Sequence, residues 1–111
     1  MDQQRTTTDM LRSLFGFGPK VDIAQLLANG AVVLDVRTKA EYAGGHAKGS
    51  INIPLGSLEQ ELHRLKRATP IITCCASGMR SNSAAGLLRD LGFDAHNGGP
   101  WTQVQAALTT R

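Results

Sequence analysis

The chain has 111 residues, 41% of them hydrophobic and 19% charged, with a formal net charge of +3. That size suits one domain around a single core, and the balance excludes a disordered chain. The scattered basic residues and 5% aromatic content exclude a nucleic-acid stripe, no run approaches the roughly 18 apolar residues of a membrane span, and two adjacent cysteines make no disulfide framework.

Residues 1–20 read as an N-terminal tail and lead-in, partly flexible. Met10, Leu11, Leu14, Phe15 and Phe17 are apolar, but Arg12 and Ser13 interrupt them, and Asp2 and Asp9 precede them. That is a poor signal peptide. With two thiols suited to a reducing compartment, the expected location is the cytoplasm. Gly16-Phe17-Gly18-Pro19 marks the boundary, and residues 21–111 form a single compact domain.

Asp22 with Gln25 fits a capping box, and Ile23, Leu26 and Leu27 give a short amphipathic helix ending at Asn29-Gly30. Ala31 to Val36 is a continuous apolar run with β-branched residues, as in a strand covered on both faces. Thr38 with Glu41 is a second capping box. Gly44, Gly45 and Gly49 mark an irregular stretch, and Ser50 to Ile53 is a short strand stopped by Pro54. Leu55, Leu58, Leu62 and Leu65 recur at helical spacing, which predicts an amphipathic helix with one buried stripe. Pro70 to Cys74 is the next strand. A helix from about Ser81 follows, with Ala84, Leu87, Leu88 and Leu91 on one face and Gly92 as its cap. Phe93 to His96 is a short strand, and Val104, Ala107 and Leu108 give a final helix. This alternation predicts an open α/β domain with a mainly parallel central sheet flanked by helices on both faces. Sites in such folds lie at the carboxyl ends of strands, and Cys75 falls at one.

The loop Cys75-Ala76-Ser77-Gly78-Met79-Arg80, followed by Ser81, is rich in small residues. Its N–H groups can curl toward one point, the following helix aims its positive end there, and Arg80 adds a charge. These features lower a thiol pKa, so Cys75 is the candidate nucleophile. Such a thiolate can attack a sulfane sulfur and hold the resulting persulfide with the same donors, a covalent route in two steps. Cys74 reads as a small buried hydrophobe whose side chain points opposite to that of Cys75. Arg80 suits either a structural tie or anion binding, and Met79 either a pocket wall or plain surface. His46, His63 and His96 lack metal-ligand spacing, and no metal site is expected.

The sequence resembles the rhodanese-like family over most of residues 21–108. The resemblance is carried by Leu34-Asp35-Val36-Arg37 with Glu41-Tyr42, by Gly45-His46-Ala47-Lys48-Gly49-Ser50-Ile51-Asn52-Ile53-Pro54, by the Cys75–Ser81 loop, and by Gly98-Gly99-Pro100-Trp101. It implies a parallel sheet of about five strands and Cys75 as the persulfide-forming residue, cradled by the backbone of Ala76 to Arg80. It also implies transfer of a sulfane sulfur from thiosulfate or a persulfide donor to cyanide or a thiol, without a cofactor. Asp35, Arg37 and Ser81 are possible supporting residues, Arg37 tying its strand end to carboxylates such as Glu41. His46 stabilises its turn, Trp101 is a core or pocket-wall residue, and a monomer is expected.

A phosphatase or arsenate reductase is the enzymatic rival. Loops of that kind resemble Cys-x5-Arg, whereas four residues separate Cys75 from Arg80 here, which contracts the nest toward a single sulfur. No aspartate is obviously placed as a general acid. The other rival is a persulfide carrier or protein-interaction module without turnover. The single charge at Arg80 favours a protein persulfide or low-molecular-weight thiol over thiosulfate.

Overall fold

The computed structural model describes residues 22–109; the tail expected over residues 1–20 lies outside them. Helix α1 (Ile23–Ala28) starts at Asp22, whose side chain accepts from the Gln25 N–H. Only this half of the expected box forms, because Gln25 turns its own amide toward Asn29. Strand β1 (Val32–Asp35) leads to helix α2 (Lys39–Ala43), where the Thr38/Glu41 capping box is complete. Strand β2 (Ile51–Asn52), two 3₁₀ segments, strand β3 (Ile71–Cys75) and helix α3 (Met79–Asp90) follow, and strand β4 (Ala95–Pro100) runs directly into helix α4 (Trp101–Thr109). At the end of α3, Gly92 has a φ of +91°. The N–H groups of Gly92 and Phe93 return to the carbonyls of Arg89 and Leu88, the pairing that the left-handed residue permits.

The strands form one parallel sheet in the order β2-β1-β3-β4. Four strands stand among the described residues where about five were expected. Alternation along β1 and β3 divides the core in two. Leu34, Val36, Ile71 and Cys75 pack with Ala84, Ala85 and Leu88 of α3 and with Ile53, Leu58 and Phe93. Val33, Ile72 and Cys74 pack on the other face with Leu27 of α1 and Val104 of α4. Helices therefore cover both faces, which is why β1 and β3 read as unbroken apolar runs.

Two expected elements take another form. The leucine stripe from residue 55 to residue 65 lies on 3₁₀ segments, Leu55–Ser57 and Glu59–Arg64, with Glu61 at φ −119° between helical turns. The bonds Leu58 N to Leu55 O and Leu65 N to Leu62 O close over three residues. A 3₁₀ turn eclipses residues i and i+3, so Leu55 with Leu58 and Leu62 with Leu65 still face the core. The last strand extends past His96 to Pro100 because the Gly98-Gly99 step carries it through a register shift opposite Thr73 and Cys75.

Gly98 permits that step. A β-carbon there would meet Ile72 Cγ2 at 2.6 Å, Val104 Cγ2 at 2.8 Å and the Thr73 carbonyl oxygen at 2.9 Å. One of these is backbone of the neighbouring strand and cannot yield as a side chain does. Gly98→Ala is expected to destabilise the fold by about 2 kcal/mol through overpacking, read as a lower urea midpoint at unchanged slope. Gly56→Ala, with open space around its position, serves as the control.

Candidate active site

Strand β3 delivers two thiols to the carboxyl edge of the sheet and, by alternation, turns them to opposite faces. Cys74 lies fully buried among Ile72, Val33 and Val104. Burial pushes its pKa up to about 12, with the Asp35 carboxylate adding to the rise and Arg37 opposing it. Cys74 is therefore a neutral thiol near neutral pH, an inert packing group.

Cys75 is equally buried, with 0% of its surface exposed, but its surroundings differ. The chain turns at Gly78, at φ +101°, close against Gly99. From that left-handed conformation the Gly78 N–H donates to the sulfur at 3.0 Å. The Ser81 N–H, one of the unpaired donors in the first turn of α3, reaches it at 3.4 Å. The Ser81 hydroxyl also lies 3.4 Å from the sulfur, accepting from the thiol. Burial alone pushes this thiol up. The Ser81 hydroxyl and the N–H groups of Ser81, Gly78 and Ser77 outweigh that cost, and the net shift is downward. A cup of donors therefore exists, built by Ser77, Gly78 and Ser81. Ala76 is an exposed spacer, and Met79, 77% exposed, is surface beside the cup.

Arg80 does not point a free charge at the sulfur. Its two terminal nitrogens bind Glu41 Oε1 at 2.8 Å and Oε2 at 3.0 Å. The same Glu41 accepts from the N–H and hydroxyl of Thr38, each at 3.1 Å. Arg80, with help from Thr38, holds the Glu41 carboxyl down at about 2. The guanidinium is thus a tie between α3 and α2.

Arg37 was expected to pair with Glu41 and does not. Its Nη2 binds Asp35 Oδ2 at 2.7 Å, its Nε binds Oδ1 at 3.0 Å, and Nη2 also donates to the Gly45 carbonyl at 2.7 Å. The guanidinium carbon lies 5.0 Å from the centre of the Trp101 ring. The reason is register. Asp35 stands opposite Cys74, so the pair is buried on the Cys74 face, and Glu41 is already taken by Arg80. Asp35 and Arg37 therefore support the 44–49 turn and Trp101 and are not brought to the Cys75 sulfur. His46 ties the same turn, its Nδ1 2.8 Å from the Tyr42 carbonyl and its ring stacked on that of Tyr42 at 3.8 Å.

Two residues behind the cup escaped the sequence reading. Thr73 donates its hydroxyl to the Ser81 carbonyl at 2.8 Å. Asn97 bonds Ser81, Gly99 and Gly78 together. A polar residue in a buried strand and another just before the Gly98-Gly99 pair were the available signals. Among the described residues no three His, Cys, Asp or Glu side chains converge as metal ligands, and no helix is long and apolar enough to cross a membrane.

Comparison with known proteins gives one consistent picture. The family model for the rhodanese-like domain matches residues 20–99. A putative sulfur carrier protein, YrkF of Bacillus subtilis, is 38% identical over 81 residues, which cover 73% of this chain and 42% of that one. The thiosulfate sulfurtransferase GlpE of Ectopseudomonas mendocina is 38% identical over 69 residues, 62% of this chain and 63% of that one. The chain thus spans about half the length of these relatives. A rhodanese-related protein from Thermoplasma volcanium superimposes with a TM-score of 0.67 at 31% identity, covering 78% of this chain and 89% of that one.

The Arg80–Glu41 tie has a definite acid limit. Glu41 is held at about 2 against an ordinary 4.5, so its contribution is full above the ordinary value and is lost as pH falls through about 2. A side-chain NMR titration is expected to place the Glu41 carboxyl midpoint near the lower figure. Arg80→Ala should move it back up toward the ordinary carboxylate range, and an unmoved midpoint would show that the pair does not form in solution.

Proposed function

From the premise that the chain belongs to the rhodanese-like domain family, we propose that it is a sulfurtransferase working through a persulfide on Cys75. The observation that carries this reading is a buried sulfur receiving N–H groups from Gly78 and Ser81, with its pKa lowered, while the adjacent thiol of Cys74 is raised to about 12. The Cys75 thiolate attacks the outer sulfur of a donor. A new S–S bond forms, the donor's own S–S bond breaks, and the leaving group departs with the electron pair, as sulfite when the donor is thiosulfate. An acceptor thiolate or cyanide then takes the outer sulfur, and Cys75 leaves as the thiolate. The cup that lowers the thiol pKa also stabilises the persulfide anion, so the intermediate and the resting nucleophile use one set of donors.

The pairing of Arg80 with Glu41 bears on the donor. With its guanidinium engaged on both nitrogens, the loop offers a small dianion less charge than the sequence implies. This favours a persulfide carried by a protein or a low-molecular-weight thiol over thiosulfate. It also argues against phosphate or arsenate chemistry, which would need that cation at the oxyanion. A carrier role, in which the persulfide is handed to a partner without turnover on free small molecules, is the second reading. The likeness to a putative sulfur carrier favours it.

Incubation with sulfane-sulfur donors is expected to add the mass of one sulfur atom, located by peptide mapping to Cys75. Cyanolysis is expected to follow ping-pong kinetics, with sulfite released when thiosulfate is the donor. Cys75→Ser should fall to background, while Cys74→Ser should retain most activity. Loss of activity in the second variant alone would mean the wrong thiol was assigned. Because the Cys75 pKa is lowered, the rate of persulfide formation should rise with pH and level off below the ionisation of a free thiol. Persulfide formation without thiocyanate production would select the carrier role.

A further inference from the structure

Behind the cup, the side chain of Asn97 touches two of the three residues that hold the sulfur, Gly78 and Ser81. Asn97 lies on β4 opposite Thr73. Its Oδ1 accepts from the Ser81 hydroxyl at 2.7 Å and from the Gly99 N–H at 2.9 Å, and its Nδ2 donates to the Gly78 carbonyl at 3.2 Å. The amide can adopt only this orientation, because a flipped amide would set its NH₂ against the Gly99 N–H, donor against donor. The oxygen therefore faces Ser81, and the Ser81 hydroxyl spends its one proton on Asn97. Its lone pairs are left for the Cys75 S–H at 3.4 Å.

We propose that Asn97 is a positioning residue for the sulfur-transfer reaction, holding the Ser81 proton through Oδ1 until Cys75 ionises and directing the Gly78 N–H at the Cys75 sulfur through Nδ2. The proposal rests on the sulfur-transfer reading of Cys75. When Cys75 loses its proton, the sulfur becomes an anionic acceptor, and a hydrogen bond to an ion is roughly twice as strong as a neutral one. The Ser81 hydroxyl turns its proton from Asn97 to the sulfur. Asn97 Oδ1 is not orphaned by that turn, since the Gly99 N–H still donates to it. The buried network is thus satisfied in both protonation states, and the switch requires one hydroxyl rotation and no backbone movement. Meanwhile Nδ2 and the Asn82 N–H, the latter at 3.0 Å, together hold the Gly78 carbonyl, which supports the left-handed conformation that keeps the Gly78 N–H 3.0 Å from the sulfur.

The other charged groups around the cup do not supply this control. Arg80 on α3 is engaged by Glu41 on α2, and Asp35 and Arg37 at the end of β1 neutralise each other on the Cys74 face. Cys74 itself is a neutral thiol near neutral pH. His96, next to Asn97 on β4, faces away by strand alternation and pairs with Asp94.

The test is a thermodynamic cycle on the Cys75 ionisation midpoint, read from ultraviolet thiolate absorbance in the full chain. Absorbance needs no reagent to reach the buried sulfur, and Cys74 ionises far higher. Asn97→Ala is expected to raise the midpoint by about one unit, a roughly tenfold loss of thiolate below it. Ser81→Ala should raise it as well, and the double variant should shift by more than the sum, because Oδ1 holds the Ser81 proton only while Cys75 is protonated, so its loss in Asn97→Ala offsets part of the rise only while that hydroxyl is present. Asn97→Asp, which matches the native shape and safeguards folding, keeps the acceptor but removes the donor to Gly78 and brings a negative charge. It should raise the midpoint further than Asn97→Ala, and its shift, by contrast, should shrink when Ser81 is alanine, because the carboxylate holds the Ser81 proton more strongly than the amide does. Strictly additive shifts in both cycles would overturn the inference. Persulfide mass on the wild-type protein is a separate readout. Its absence would sink the sulfur-transfer reading while the coupling still reported on Asn97, and uncoupled midpoints with persulfide present would sink only the role of Asn97.

Discussion

A sulfur held inside the protein must be either neutral or well supplied with donors, and this fold contains one of each on adjacent residues. Burial raises both thiols. On one face of β3, Cys74 meets aliphatic side chains and the Asp35 carboxylate, so nothing opposes the rise except Arg37. On the other face, the end of the strand coincides with the start of α3, whose first-turn N–H groups have no partner of their own. Cys75 becomes that partner. The opposite fates of two neighbouring cysteines follow from strand alternation combined with a helix terminus on one side only.

Two ion pairs frame the site and are kept apart by the same geometry. Asp35 and Arg37 are buried together against Trp101 and the Gly45 carbonyl, where an unpaired charge would be costly. Glu41 and Arg80 lie half-exposed at the loop, where the pair contributes little to stability and serves mainly to position α3 against α2. Exchanging partners, so that Arg37 met Glu41, would leave Asp35 buried without a counter-charge. Glu41 performs two tasks with one carboxylate, completing the Thr38 cap and receiving Arg80. The loop that follows Cys75 is thus anchored to a helix cap that the sequence already announces.

The rear of the cup depends on β4. The Gly98-Gly99 step lets the strand approach Ile72 and Val104 more closely than any side chain allows, while Asn97, just before it and still in regular register opposite Thr73, stands behind Ser81. Gly78 packs against Gly99 from the other side. Two glycine positions far apart in the chain are thereby mutually required, one to turn the loop and the other to make room for it.

Local sequence was sufficient for much that depends on spacing along the chain. The apolar runs of β1 and β3, the Thr38/Glu41 cap, the end of α3 at Gly92 and the opposed directions of Cys74 and Cys75 all arise from periodicity and neighbouring residues. So does the placement of a small-residue loop between a cysteine and a helix. The tertiary structure decided what depends on distance through space. It chose the partner of each arginine, because two carboxylates six residues apart are indistinguishable until the sheet assigns them to different faces. It turned the leucine stripe from residue 55 into 3₁₀ segments, since i and i+3 spacing satisfies either helix and only packing selects between them. It brought Thr73 and Asn97 to Ser81 across 8 and 16 residues of chain. Residue order marks both as polar residues beside the core but does not name their partner, which is met only once two strands and a helix have come together.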